Sequence, residues 1–306
     1  MSSDGLFHRY VFADYSGAKS NSAQRKAIRV AVVGRDKTPE ELCRLTRDDL
    51  TSALLDQLKA ATQAGERLCF GQDHQYGIPI GLAQEIGLAG RTWRDALERL
   101  TSGTYGEAAP KLAHASTFAA DFNAWLVVQG NKPYFYSATK HKTYRIPQRN
   151  PRREDGSVYR LTELCRPISG SAAPKALNRV GDNGAVGGQT IVGLIAIHDL
   201  LRQAEDKGIS VRCWPFDGLD ITSAAYEGAH VLVEPYPSAV RKSGVKQGDS
   251  ADAFACAQYL REQDLAGHLP AILDLQSLTE NQKLKVLFEG WIVSHRPERS
   301  MGLLGS

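Results

Sequence analysis

Apolar residues recur along the chain with two different periods. Residues 9–14 and 27–34 are short apolar runs divided by a polar turn, the pattern of a β-hairpin. Residues 41–45, Glu-Leu-Cys-Arg-Leu, add a candidate third strand. Over 48–64 the period lengthens: Leu50, Leu54, Leu55, Leu58 and Ala61 fall on one side of a helix. Asp48 and Asp49 occupy its first turn, where the helix dipole favours them, and Gly65 stops it. Residues 67–73 then read as a buried strand ending in Asp73, and 76–82 as a turn. Helical spacing returns at 92–100 and 116–128, whereas 130–187 is rich in Pro, Gly, Lys and Arg and follows no period. A helix with glycine at both ends covers 187–208. Strands at 210–216 and 229–237 and helices at 248–263 and 280–292 complete the chain. This order predicts an α/β fold with a mixed sheet flanked by helices. It also predicts a single domain over 1–306, with a large helical and basic-loop insertion at about 80–205 between core strands.

Composition narrows the class without fixing it. Hydrophobic residues make up 42% and charged residues 23%, ordinary values for a soluble globular chain. The net charge of +3 permits an anionic ligand without demanding one. The five cysteines are scattered and form no Cys-x-x-Cys pair, which argues against a zinc knuckle or a disulfide framework and for a reducing, cytoplasmic setting. The N-terminal residues show no apolar signal region. The most apolar stretch, 190–201, is too short to span a bilayer and contains His198 and Asp199. No membrane partner is expected.

The strand ends carry the candidate chemistry. Three predicted strands finish in an acid: Asp14, Asp73 and Glu234. In α/β sheets ligands bind beyond the carboxyl ends of the strands, so parallel neighbours would bring these acids to one point. Asp249 and Asp252, three apart on a helix, share one face. The alanines and the cysteine around them let that helix approach a sheet closely. Such a cluster repels itself unless a hard cation such as Mg²⁺ or Mn²⁺ intervenes. Two ions held roughly 3.5–4 Å apart could clamp the attacking water and the leaving oxygen of a phosphodiester.

Each acid has a competing structural reading. Asp14 and Asp73 could cap the turns that follow them. Glu234, before Pro235, could pair with an arginine. Asp249 could be an N-cap, with Asp252 completing the cap. His74, beside Asp73, is a candidate for positioning water and equally an ordinary loop histidine. The insertion holds a basic stretch, 132–153, with Lys140, Lys142, Arg145 and Arg149 interleaved with Tyr134, Phe135, Tyr136 and Tyr144. Cations there suit phosphates and aromatics suit unpaired bases; a solvated loop is the alternative. Lys246 is a further candidate phosphate ligand.

The segments Ala-Asp-Tyr-Ser-Gly-Ala-Lys (13–19), Gly-Gln-Asp-His-Gln-Tyr-Gly-Ile-Pro (71–79), Gly-Gly-Gln-Thr (187–190), Cys-Trp-Pro-Phe-Asp-Gly (213–218), Val-Glu-Pro-Tyr-Pro (233–237), Asp-Ser-Ala-Asp-Ala-Phe-Ala-Cys-Ala (249–257) and Phe-Glu-Gly-Trp-Ile (288–292) resemble, in order, the domain-of-unknown-function family 429, whose members are regarded as nucleases of the ribonuclease H-like fold. The resemblance implies that fold and nuclease activity. It also implies a site made of Asp14, Asp73, Glu234, Asp249 and Asp252, with Asp14, Asp73 and Asp252 on the metals. The leading expectation is therefore a cytoplasmic, Mg²⁺- or Mn²⁺-dependent nuclease with nucleic acid as partner. The alternatives are an ATP-dependent phosphotransferase of the actin and hexokinase-like kind, for which the turn after Asp14 would hold nucleotide phosphates, and a non-catalytic nucleic-acid binder.

Overall fold

The computed structural model describes residues 5–35, 38–140, 144–155, 158–165, 174–181, 185–241 and 248–295. Among these, six strands form one mixed sheet: β1 (Arg9–Asp14), β2 (Arg29–Gly34), β3 (Glu40–Cys43), β4 (Leu68–Gln72), β5 (Val211–Cys213) and β6 (His230–Leu232), in the order β3-β2-β1-β4-β6-β5. β2 runs antiparallel to both β1 and β3. β1, β4, β6 and β5 are parallel, as the reading of strand-end acids requires. β1 and β4 are central and apolar on both faces, as strands covered on both sides must be. β3 lies at the edge and exposes Glu40 and Glu41, charges that discourage pairing with another chain.

Two layers of helices cover the sheet. On one face Val11, Ala13, Leu68, Phe70 and Leu232 meet α2 (Arg47–Gln63), α5 (Ala115–Val128) and α6 (Gly187–Asp206). A capping box between Thr46 and Asp49 starts α2, and Gly65 follows its end at φ +67°. α6, placed by the sequence reading within the insertion, packs directly on α2 and reaches the sheet, so it forms part of the core layer. On the other face Tyr10, Phe12, Cys69, Val231 and Val233 meet α8 (Asp249–Leu265), with Trp214 and Trp291 filling the flank. The small residues Ala253, Cys256 and Ala257 let α8 lie close against β1 and β2.

Two elements differ from the sequence reading. The polar turn of the predicted hairpin contains a two-turn helix, α1 (Asn21–Ala27), capped by Ser20. The predicted turn at 76–82 leads into a short helix, α3 (Ile80–Glu85), which starts after Pro79. Then follow α4 (Trp93–Ser102), a 3₁₀ turn at Leu161–Leu164, and the short helices α7 (Pro237–Val240), α9 (Leu269–Ile272) and α10 (Glu280–Glu289). Among the described residues, no helix is long and apolar enough to cross a membrane.

Candidate functional site

Register decides which strand-end acids meet. β1 and β4 pair in parallel with Ala13 level with Gln72, and the ladder continues as the Asp73 N–H donates to Ala13 O at 2.9 Å. Asp14 and Asp73 are therefore cross-strand neighbours. Alternation puts them on the face of Tyr10, Phe12 and Cys69, under α8. Gly71 permits this close packing: a Cβ there would lie 2.2 Å from Val233 O and 2.8 Å from the Phe12 ring.

The direction of α8 is set at its far end. Asp264 accepts from the Leu6 and Phe7 N–H groups at 2.8 and 2.9 Å and from the Tyr10 hydroxyl at the start of β1. Arg261 donates to Gly34 O at 3.0 Å. With its C-terminal turn clamped beside the start of β1, α8 brings its N-terminal turn, Asp249 and Asp252, over the end of β1. The cap position is Gly248, so Asp249 is the first helical residue rather than the cap. Likewise Ser16 and Ser20 hold the turn after Asp14, by accepting from Ala18 N and Ala23 N.

Asp14, Asp73, Asp249 and Asp252 thus converge from three elements, and their charges act on one another. Burial, then Asp73, Asp249 and Asp252, push the Asp14 carboxyl up to about 9, and a hydrogen bond joins it to Asp249. Burial, then Asp252 and Glu234, push Asp73 up to about 7, while Arg241 pulls it down. Beneath them burial, Asp73, Asp252 and Asp14 keep the Cys256 thiol protonated. Arg241 Nη2 contacts Asp252 Oδ1 at 2.5 Å.

Glu234 belongs to a different arrangement. Phe70 is level with Leu232, which makes Glu234 level with Gln72, one residue out of phase with Asp73 and on the opposite face. Arg160, buried in the insertion, donates to both of its oxygens at 2.6 and 2.7 Å, and Tyr76 N–H donates at 3.0 Å. The arginine-pairing reading of Glu234 is the one its contacts support. Arg160 also meets Glu163 at 3.0 Å and donates to Glu289 O at 3.1 Å. The Glu289 carboxylate accepts from Ile80 N and Leu161 N at 2.7 Å each.

This network holds the Asp73 turn. The Tyr76 hydroxyl donates to Gln72 O and accepts from Gln72 N, closing the turn, and Gln75 reaches Glu163. Gln189, at the start of α6, donates to Asp73 O. His74 is buried between Tyr15 and Tyr76, with ring centroids 5.0 and 5.1 Å away, and burial pushes its pKa down to about 4. It is a core residue rather than a water-positioning one. Tyr76 and Gln189 fall within segments that carry the family resemblance, but without an assigned role. Arg160 and Glu163 leave one signal, an i,i+3 Arg–Glu pair within an otherwise aperiodic stretch.

The basic stretch divides in two. Lys140, Arg145 and Arg149 are exposed, and Lys142 and Lys246 lie outside the described residues. The aromatics do not form a stacking platform. Tyr134 and Phe135 are buried against Phe122, because the sequence around them closes over α5. Tyr144 accepts from Thr117, and the Lys19 amine lies 5.8 Å from its ring centroid. Arg152 is also internal, forked onto Glu85 at 2.5 and 2.7 Å.

Four carboxylates offer an all-oxygen donor set, which fits a hard divalent cation in kind. Asp252 Oδ1 is buried and makes no hydrogen bond of acceptable geometry; its close neighbour is the Arg241 guanidinium. Among the described residues, however, no three acidic, histidine or cysteine side chains have their donor atoms gathered as a metal-binding group. As placed, the Asp14–Asp249 hydrogen bond and Arg241 offset the repulsion. No protein-family model, curated protein or solved structure matches the chain.

Proposed function

We propose that the protein is a divalent-cation-dependent nuclease that hydrolyses nucleic-acid phosphodiester bonds at the Asp14, Asp73, Asp249 and Asp252 cluster. One observation carries this reading: four carboxylates from three elements converge where, among the described residues, a single arginine contacts one of them. Proteins do not gather uncompensated carboxylates for stability, and strongly raised carboxyl pKa values in one place favour a functional site. The order β3-β2-β1-β4, with β2 antiparallel and β1 and β4 parallel, supports a ribonuclease H-like core. So does the ordered resemblance to family 429, whose members are regarded as predicted nucleases.

In this reading Asp14, Asp73 and Asp252 hold Mg²⁺ or Mn²⁺, with Asp249 beside them. Bound cations supply Lewis-acid stabilisation of the phosphoryl oxygens and a more acidic water. The chain supplies rigidity: Asp14 sits on a central strand, Asp73 on a turn closed by Tyr76, and Asp252 on a helix clamped through Asp264. Glu234 acts as a positioning residue, since it accepts from the N–H of Tyr76, whose hydroxyl closes that turn. Lys140, Arg145 and Arg149 line an exposed basic surface suited to the phosphate backbone, and Lys142 and Lys246 extend the same expectation.

The test is a cleavage panel of DNA, RNA and branched junctions with Mg²⁺ or Mn²⁺. Wild type is expected to cut at least one substrate. Asp14→Asn and Asp252→Asn are expected to lower the rate by about a hundredfold or more while leaving the melting temperature in chelator unchanged or higher. No cleavage across the panel, or unfolding of both variants, overturns the reading. A thermal shift with ATP and no effect of nucleic acid would favour a phosphotransferase instead.

A further inference from the structure

We propose that Arg241 is a built-in counter-ion of the acid cluster, occupying Asp252 in competition with a divalent cation and so setting the cation affinity of the site. The inference rests on the cation-dependent reading above. It is drawn from how differently Arg160 and Arg241 meet their carboxylates.

Arg160 is fixed from every side. Its guanidinium forks onto both oxygens of Glu234, meets Glu163 and donates to Glu289 O. Arg241 reaches Asp252 through one nitrogen only, Nη2 to Oδ1 at 2.5 Å. The buried Arg241 Nε has no hydrogen-bond partner, and Asp252 Oδ1 accepts no hydrogen bond of acceptable geometry. The contact is charge against charge, without the paired donors that make an arginine fork strong. Arg241 follows α7, where its backbone N–H donates to Pro237 O at 3.0 Å. The backbone is thus fixed near the cluster, while among the described residues a single ionic contact holds the side chain.

Arg241 thus places one positive charge on Asp252, one of the three residues assigned to the metals. A divalent cation carries twice that charge and prefers oxygen ligands. It cannot coordinate Asp252 Oδ1 while Nη2 remains there, so loading requires Arg241 to withdraw.

The experiment compares Mn²⁺ titration calorimetry of metal-stripped wild type, Arg241→Gln and Arg241→Lys. Removing a unit charge at this range is expected to tighten Mn²⁺ binding by about tenfold or more in Arg241→Gln. Arg241→Lys keeps the charge and is expected to stay within about threefold of wild type. In chelator, Arg241→Gln is expected to melt below wild type, and Mn²⁺ is expected to raise its melting temperature by more than it raises that of wild type. Equal or weaker binding by Arg241→Gln overturns the proposal, as does binding by Arg241→Lys as tight as that of Arg241→Gln. Absence of Mn²⁺ binding in all three proteins also overturns it, and so does a failure of Arg241→Gln to fold with Mn²⁺ present. The two readings fail separately. Metal-dependent cleavage by wild type with no gain in affinity in Arg241→Gln removes the counter-ion alone, whereas a protein that neither binds Mn²⁺ nor cleaves removes both.

Discussion

Two groups of carboxylates lie on opposite faces of the same strand ends, one buried and the other half-buried with Asp249 exposed, and they are compensated in opposite ways. Around Arg160, the acids Glu234, Glu163 and Glu289 have their oxygens met by a guanidinium or by backbone N–H groups. Around Asp14, four aspartates have one arginine contact among the described residues, and their burial and mutual repulsion push Asp14 up. The first group joins the insertion, the end of β6 and α10, as structural ion pairs do. The second is left with an excess of negative charge that folding alone does not require. Acidity at a strand end is thus ambiguous by itself, and the number of donors facing each carboxylate separates a support from a candidate site.

The sharpest way to break the comparison is to remove the central cation of the balanced group. Arg160→Met leaves Glu234 and Glu163 buried without their partner and is expected to cost about 3–5 kcal/mol, measured by urea unfolding. A loss below about 1 kcal/mol would mean that this group is no better compensated than the other.

The same operation on the unbalanced group is expected to have the opposite sign. Asp14→Asn removes a carboxyl that must take up a proton on folding and should stabilise the metal-stripped protein by about 1 kcal/mol or more at neutral pH. The pH dependence follows from linkage. The carboxyl of Asp14 is raised from 3.8 to about 9 in the folded protein, so its contribution to stability is full below 3.8 and is lost as pH rises through about 9. Asp73, raised to about 7, adds a loss in the lower part of that window. The advantage of Asp14→Asn over wild type should therefore widen steadily from about pH 4 to about pH 9, as followed by thermal melts in chelator. A constant difference would show that Asp14 carries no excess charge to relieve.

The smallest effect on stability belongs to the exposed cations. Replacing Lys140, Arg145 and Arg149 together by alanine should change stability by no more than about 0.5 kcal/mol per site. It should also flatten the salt dependence of oligonucleotide binding, by about 0.9 in log–log slope for each duplex phosphate that is no longer neutralised. An unchanged slope would remove the insertion from the proposed interface and leave the acid cluster as the one point at which substrate is held.

Much of this is legible in the sequence without a fold. Leu50, Leu54, Leu55, Leu58 and Ala61 announce α2, and Asp14 and Asp73 stand out because each ends an apolar run. The small residues around Asp249 and Asp252 foretell a helix lying close to a sheet. Tyr134 and Phe135 mislead, because an aromatic beside lysines reads the same whether it faces solvent or fills the core behind α5. α1 is hidden because Asn21–Ala27 is polar, so burial leaves no periodic trace in it.

The chain by itself determined where the long helices and the central strands form and that acids stand at the strand ends, because both follow from local pattern: the period of apolar residues and the residue that interrupts it. The tertiary structure alone decided which acids meet. Strand register turns on a single residue, and one step reverses every side chain to the other face. That step puts Asp73 beside Asp14 and sends Glu234 to Arg160, 74 positions away along the chain. A pairing between residues so distant is a property of packing, and no local spacing encodes it.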